Sequence, residues 1–205
     1  MPEADSVAHG LRLGSDVSDA HFDRIYPEWI QKISQPHWTP IKVARRAAEM
    51  LVSKRHRHIL DVGSGPGKFC LVGALVTQAT FVGVEQRKNL VDIATGAAKR
   101  CGASRARFIH DNMMSIDWSE FDGIYLFNPF YEQIADGIPR IEGPIETSAD
   151  LYTQYVVTTC VKLFTAREGT RVVTYHGFGG PMPTGYQLIT REPACYDYLE
   201  LWEKV

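Results

Sequence analysis

The chain has 205 residues, 44% of them apolar and 22% charged, with a formal net charge of −2. That length builds one domain with a full core and leaves too little for two ordinary ones. The slightly acidic balance excludes a protein that holds nucleic acid by bulk charge, because such proteins carry a basic excess. Residues 1 to about 20 mix Gly, Ser and Asp without periodicity and are expected to be loose or only locally ordered. "HFDRIYPEWIQKIS" has Phe22, Ile25, Trp29, Ile30 and Ile33 at helical spacing around Pro27, which predicts one or two short helices. In "TPIKVARRAAEML", Thr39 suits an N-cap and Pro40 the first helical position, and Ile41, Ala44, Ala48 and Leu51 form an apolar stripe. The dense basic run Lys54, Arg55, His56, Arg57 and His58 then reads as a solvated helix end, with a phosphate contact as the alternative.

Strand and helix alternate from there. "HILDVG" is a strand and "GKFCLVGALVTQ" a helix. "TFVGVE" is a strand and "RKNLVDIATGAAKRCG" a helix stopped by Gly102. "ARFIHD" and "FDGIYLFN" are strands, followed by a connection containing Gly137, Pro139, Gly143 and Pro144. A long helix capped by Ser148, a strand "TRVVTYHG" and two strand-like runs around Glu192 to Ala194 complete the chain. Alternating strands and helices, with several strands almost wholly apolar, predict an α/β fold: a Rossmann-like, doubly wound, mostly parallel sheet flanked by helices, with an antiparallel C-terminal hairpin. The expected division is a helical extension over 1–38 and a catalytic domain over 39–205.

Four cysteines (Cys70, Cys101, Cys160 and Cys195) are scattered without a C-x-x-C pair, so neither a metal site nor a disulfide framework is expected. The N-terminus lacks the apolar core of a signal peptide, and no stretch is long and apolar enough to span a bilayer. The expected location is cytoplasmic.

"DVGSGPGKF" is the informative stretch. A phosphate-binding loop needs G-x-x-x-x-G-K-[ST]. Lys68 follows Gly67, but Val62 stands where the first glycine should be and Phe69 where the magnesium-binding hydroxyl should be. The dinucleotide fingerprint G-x-G-x-x-G also fails, because Gly63, Gly65 and Gly67 alternate strictly. An acid followed by alternating glycines resembles the class I S-adenosylmethionine-dependent methyltransferases, and Asp61, Gly63, Gly65 and Gly67 match that motif position for position. Chemistry fits the pattern: this cofactor offers a sulfonium and an amino group, both cationic, to an acid at a strand end. Glycines would let the backbone close over its methionine and ribose portions.

The resemblance extends along the sheet. It implies that Glu85 accepts the ribose hydroxyls, with Ser64 and Gln86 beside it. It sets Asp111 against the adenine amino group, with Asn112 and Met113 lining the ring. Thr39 becomes a contact at the methionine end, alongside its reading as a plain N-cap. "NPFY" resembles the Asn-Pro-Pro-Tyr of enzymes that methylate planar amino groups. Asn128 and Pro129 would then hold the target nitrogen and Tyr131 would stack on it, with Phe130 in the place of the second proline. Asn128 and Tyr131 are therefore the expected catalytic residues, and Pro129, Phe130 and Tyr131 the expected substrate contacts. A second resemblance, to the non-SET histone-lysine methyltransferases, implies a protein lysine acceptor. O-methylation of a small molecule is also open, with His110 or His176 as proton acceptor, although each histidine reads more simply as structural. A SAM-binding sensor or interaction module is the non-enzymatic alternative. The acceptor class is not written in the sequence, beyond a lean toward a small molecule or protein over nucleic acid.

Overall fold

The computed structural model describes residues 2–135, 141 and 145–205. Four helices precede the first strand: α1 (Pro2–Arg12), α2 (Asp19–Asp23), α3 (Glu28–His37) and α4 (Ile41–Leu51). Then come β1 (His58–Val62), α5 (Lys68–Val76), β2 (Thr80–Glu85), α6 (Lys88–Arg100), β3 (Ala106–His110) and β4 (Gly123–Phe127). The chain ends with α7 (Ala149–Phe164), β5 (Arg171–Tyr175), β6 (Tyr186–Ala194) and β7 (Asp197–Lys204). The sheet order is β3-β2-β1-β4-β5-β7-β6. The first five strands are parallel, while β7 runs antiparallel between β5 and β6. Strand order reverses between β1 and β4, and a doubly wound sheet opens a ligand crevice at the strand C-terminal ends at such a point.

Alternation along each strand sorts side chains onto two covered faces. Ile59, Phe81, Tyr125 and Val173 pack under α1, α4 and α5, while Leu60, Val62, Ile124, Leu126 and Val172 pack with Tyr155 and Leu163 of α7. The same period places Asp61 on the face of Tyr125.

Several expectations need correction. The start of the chain is not loose: α1 buries Ala4, Val7, Ala8 and Leu11. Their i, i+3, i+4, i+7 spacing is one helical stripe, hidden because small alanines carry half of it. Thr39 is not an N-cap. Helix α4 begins at Ile41, and the Ile41 N–H donates to Asp19 Oδ1 at 3.0 Å, so α2 supplies the cap. The basic run lies beyond the end of α4, in the loop into β1, where His56 bonds the Gly169 carbonyl and the Arg57 and His58 N–H groups donate to Asp122. It sits at the opposite end of β1 from the crevice. The hairpin turn is Cys195–Tyr196, and β6 carries Pro193 through an edge strand, where proline is tolerated. Gly137, Pro139, Gly143 and Pro144 lie outside the described residues. No helix among the described residues is long and apolar enough to cross a membrane.

Candidate active site

Every predicted site residue except Gly67 and Asn112 lines one cavity of about 530 Å³ at the C-terminal ends of β1, β2 and β4. Its floor is Asp61. This carboxyl is buried and accepts the Cys70 thiol at 3.4 Å. Burial pushes its pKa up to about 7; the Cys70 hydrogen bond opposes the rise and the nearby Glu85 carboxylate adds to it.

Two glycines of the loop also make room for the protein's own side chains. Gly65 has φ +54, and a Cβ there would collide with the indole of Trp38. Gly67, at φ +83, begins α5, and its missing side chain is replaced by the Phe108 ring. The left-handed backbone favours glycine at both positions, and the protein's own aromatic rings fill the vacated space.

At the end of β2, Glu85 is buried and uses both oxygens. Oε2 accepts the Gly65 N–H at 3.1 Å and Oε1 the Arg87 N–H at 2.8 Å. Burial raises its pKa, and these two hydrogen bonds together with the Arg87 charge pull the other way. Arg87 itself is clamped bidentately by Glu132 at 2.9 and 3.0 Å, which ties the β2 end to the segment after β4. Gln86 lines the cavity and accepts from both Asn112 Nδ2 (3.3 Å) and the Tyr155 hydroxyl (3.2 Å). Asn112 also donates to Tyr155 at 2.7 Å, so its amide braces β3 against α7 outside the cavity. Asp111 is exposed on the cavity rim, where it accepts the Asn112 N–H, and Met113 is buried in the wall.

The fourth strand ends in a strained corner. Asn128 has φ +38, a region in which asparagine is enriched among non-glycine residues. Its N–H donates to the Gly177 carbonyl at 2.9 Å, and the residue after β5, His176, is also left-handed at φ +58. Two neighbouring strands thus break at one place, and both corners face the cavity. Phe130 explains its departure from proline. It is buried and stacks on Tyr155 at 5.1 Å with ring planes 13° apart, so packing anchors the loop. Tyr131 is 45% exposed at the mouth, unlike its buried neighbour. His110 is exposed, bonds the Gln86 carbonyl and does not line the cavity; His176 does.

The remaining wall comes from the segment before α4, which sequence reasoning underrated. Trp38 covers Gly65, and the Thr39 hydroxyl meets the Tyr125 hydroxyl at 2.9 Å. Tyr125 stacks on Phe69 at 3.9 Å. Lys68 is not poised for a phosphate. Its ammonium is buried between Asp19 (2.7 Å) and Asp23 (2.9 Å) of α2.

This charge distribution fits S-adenosylmethionine. Among the described residues, the lysine and arginine of the lining, Lys68 and Arg87, are both consumed by ion pairs, whereas neither Asp61 nor the rim acid Asp111 makes one. Ser64 Oγ is buried without a hydrogen-bond partner among the described residues. A cationic ligand against Asp61 favours its ionised form, so binding below about pH 7 must expel a proton. Calorimetric affinity for S-adenosylmethionine is therefore expected to rise about tenfold per pH unit on the acid side and to level off above about 7. An affinity flat across this window would remove Asp61 from the cation's surroundings.

Residues 53–161 match a family described as a methyltransferase domain. Among solved structures, the chain is similar to an RNA methyltransferase from Salinibacter ruber in complex with S-adenosyl-L-homocysteine, at 21% identity and TM-score 0.58 over 82% of this chain and 93% of that one. It is similar to TrmN from Thermus thermophilus at 18% identity and TM-score 0.61, over 82% of this chain and 49% of that one. A mutant of MtNAS in complex with S-adenosylmethionine aligns over 100% of this chain and 72% of that one, at 14% identity and TM-score 0.54. At these identities the likeness is one of fold. No curated protein matches the sequence significantly. The family match spans more than half of the chain, and strand order, acid-ended strands and glycine loop agree with it: the chain belongs to the methyltransferase-domain family, as a class I S-adenosylmethionine-dependent methyltransferase.

Proposed function

We propose that the protein transfers a methyl group to a nitrogen acceptor held at Asn128 and Tyr131. The observation that carries this reading is the left-handed corner at Asn128, which ends β4 on the cavity and is fixed through its own N–H by Gly177. Strain of this kind persists where the surroundings over-determine it, and it clusters at working sites. A side-chain amide can accept a hydrogen bond from the acceptor N–H and so point the nitrogen lone pair at the methyl carbon. Tyr131, exposed at the mouth, covers the acceptor with its ring.

S-adenosylmethionine supplies an already activated methyl group. The chain's own residues therefore contribute alignment above all, and alignment alone can remove several kcal/mol of barrier. In this reading Gly63, Ser64 and Gly65 border the methionine end with Thr39 nearby, Glu85 takes the ribose and Asp111 and Met113 take the adenine.

Acidic lining with its cations already paired favours a small molecule or a protein side chain over a polyanion. Solved structures of similar fold include an RNA methyltransferase, which keeps RNA as the second reading. Asn128→Ala is expected to leave S-adenosylmethionine affinity within about twofold while lowering turnover by about 100-fold, since it removes an interaction made in the transition state. Full turnover in that variant would take Asn128 out of the mechanism.

A further inference from the structure

His176 does more than turn a corner. Its Nδ1 lies 2.7 Å from Asp197 Oδ2, at the start of β7, and its ring borders the cavity beside Asn128. A carboxylate on Nδ1 holds the proton there and leaves Nε2 with a lone pair, the tautomer of a base. The side chains of His176 and Asp197 are 37% and 35% exposed, so a proton collected by the ring has a path to water. Backbone strain at φ +58, uncommon outside glycine, is maintained at this one position just past β5.

We propose that His176, oriented by Asp197, is the general base that deprotonates an alkylammonium acceptor. The inference rests on the nitrogen-acceptor reading and narrows it. A planar amide or adenine amine arrives neutral and needs no base, whereas an alkyl nitrogen arrives as an ammonium, without a lone pair. The neighbourhood suits such a cation. Phe127 and Tyr175 pack around His176 at 5.7 and 4.2 Å between ring centroids, and Tyr131 and Tyr196 line the same cavity. Ring faces attract an ammonium, and Asp197 adds a negative charge. In the step, His176 Nε2 takes one N–H proton. The freed lone pair forms the new N–C bond as the S–CH₃ bond breaks, and that electron pair stays on sulfur as S-adenosylhomocysteine leaves. The proton passes from His176 to water.

The test uses the full chain, labelled-methyl S-adenosylmethionine and four probes: tyramine and a lysine-containing peptide as alkylammonium acceptors, an adenine-bearing RNA oligonucleotide, and catechol. The expected result is transfer to an alkylammonium probe. His176→Asn, which keeps a residue suited to positive φ, should then cut kcat about 100-fold near neutrality, with unchanged S-adenosylmethionine affinity. That loss should shrink at high pH, where the amine deprotonates unaided. The titratable groups that meet the ring are Asp197 on β7 and Tyr175 on β5, and Tyr175 in turn lies near Cys195 and Tyr196 of the turn. Nitrogen NMR of the imidazole should find Nε2 unprotonated in the wild type and a changed tautomer balance in Asp197→Asn. Wild-type kcat and pH profile in His176→Asn, or a proton resident on Nε2, would overturn the proposal. Transfer to adenine alone would overturn it and leave the nitrogen reading standing, while transfer to catechol alone would overturn both. No transfer to any probe by protein that binds S-adenosylmethionine would overturn the alkylammonium assignment.

Discussion

Lys68→Ala is expected to destabilise the fold by about 3 kcal/mol, since removing one partner of a buried ion pair leaves the other charge stranded. Asp23 is the charge at stake, buried beside the ammonium with only 7% of the residue exposed. Asp19 is half-exposed and finds water, but it also caps α4 through Ile41. The lysine therefore joins the glycine loop and α5 to α2, and through Asp19 to the start of α4. The segment that carries Trp38 and Thr39 onto the cavity lies between these anchors. Thermal or denaturant unfolding measures the loss. A matched triple variant, Lys68→Met with Asp19→Asn and Asp23→Asn, should recover most of it, because a neutral replacement strands no charge. A Lys68→Ala protein as stable as the wild type would show that the buried pair contributes nothing net.

Glu85→Ala carries the largest expected effect on binding. Each Glu85 oxygen already accepts one backbone N–H, from Gly65 or Arg87. Each keeps a further lone-pair direction, so a ribose diol can be received without displacing either donor. Hydrogen bonds to a charged acceptor contribute about 1.5–3 kcal/mol each, so losing two is expected to weaken S-adenosylhomocysteine binding by at least about 100-fold. Glu85→Gln should also bind poorly, since its amide NH₂ would face one of the two backbone donors. Calorimetry gives the affinities, and unfolding of the apo variants separates a lost contact from a lost fold. Wild-type affinity in Glu85→Ala would place the ribose elsewhere.

Much of this was legible in the residues because it is local. Strand-ending acids, alternating glycines and Ser148 as the cap of α7 each depend on neighbours a few positions away, and Ser148 does accept the Leu151 N–H. Other features required tertiary pairing. Nothing near Lys68 in sequence announces Asp19 and Asp23, which reach it only when α2 packs near the start of α5. His176 and Asp197 meet because β7 pairs antiparallel with β5 in the register Tyr175 to Leu199, next to the two-residue turn at Cys195–Tyr196. Phe130 stands where the motif has a proline, and its stacking partner Tyr155 comes from a distant helix. Helix α1 was readable in principle, but its stripe of Ala4, Val7, Ala8 and Leu11 was masked by the surrounding polar residues.

The proposed placement sets the cofactor across the ends of β1, β2 and β4, with its reactive centre turned toward Asn128. A crystal structure with S-adenosylhomocysteine is the decisive experiment. The expected electron density has the ribose hydroxyls about 3 Å from the Glu85 carboxylate, the adenine between Asp111 and Met113, and the sulfur facing the Asn128 corner. A ligand bound outside this cavity, or one whose ribose does not touch Glu85, would refute that placement.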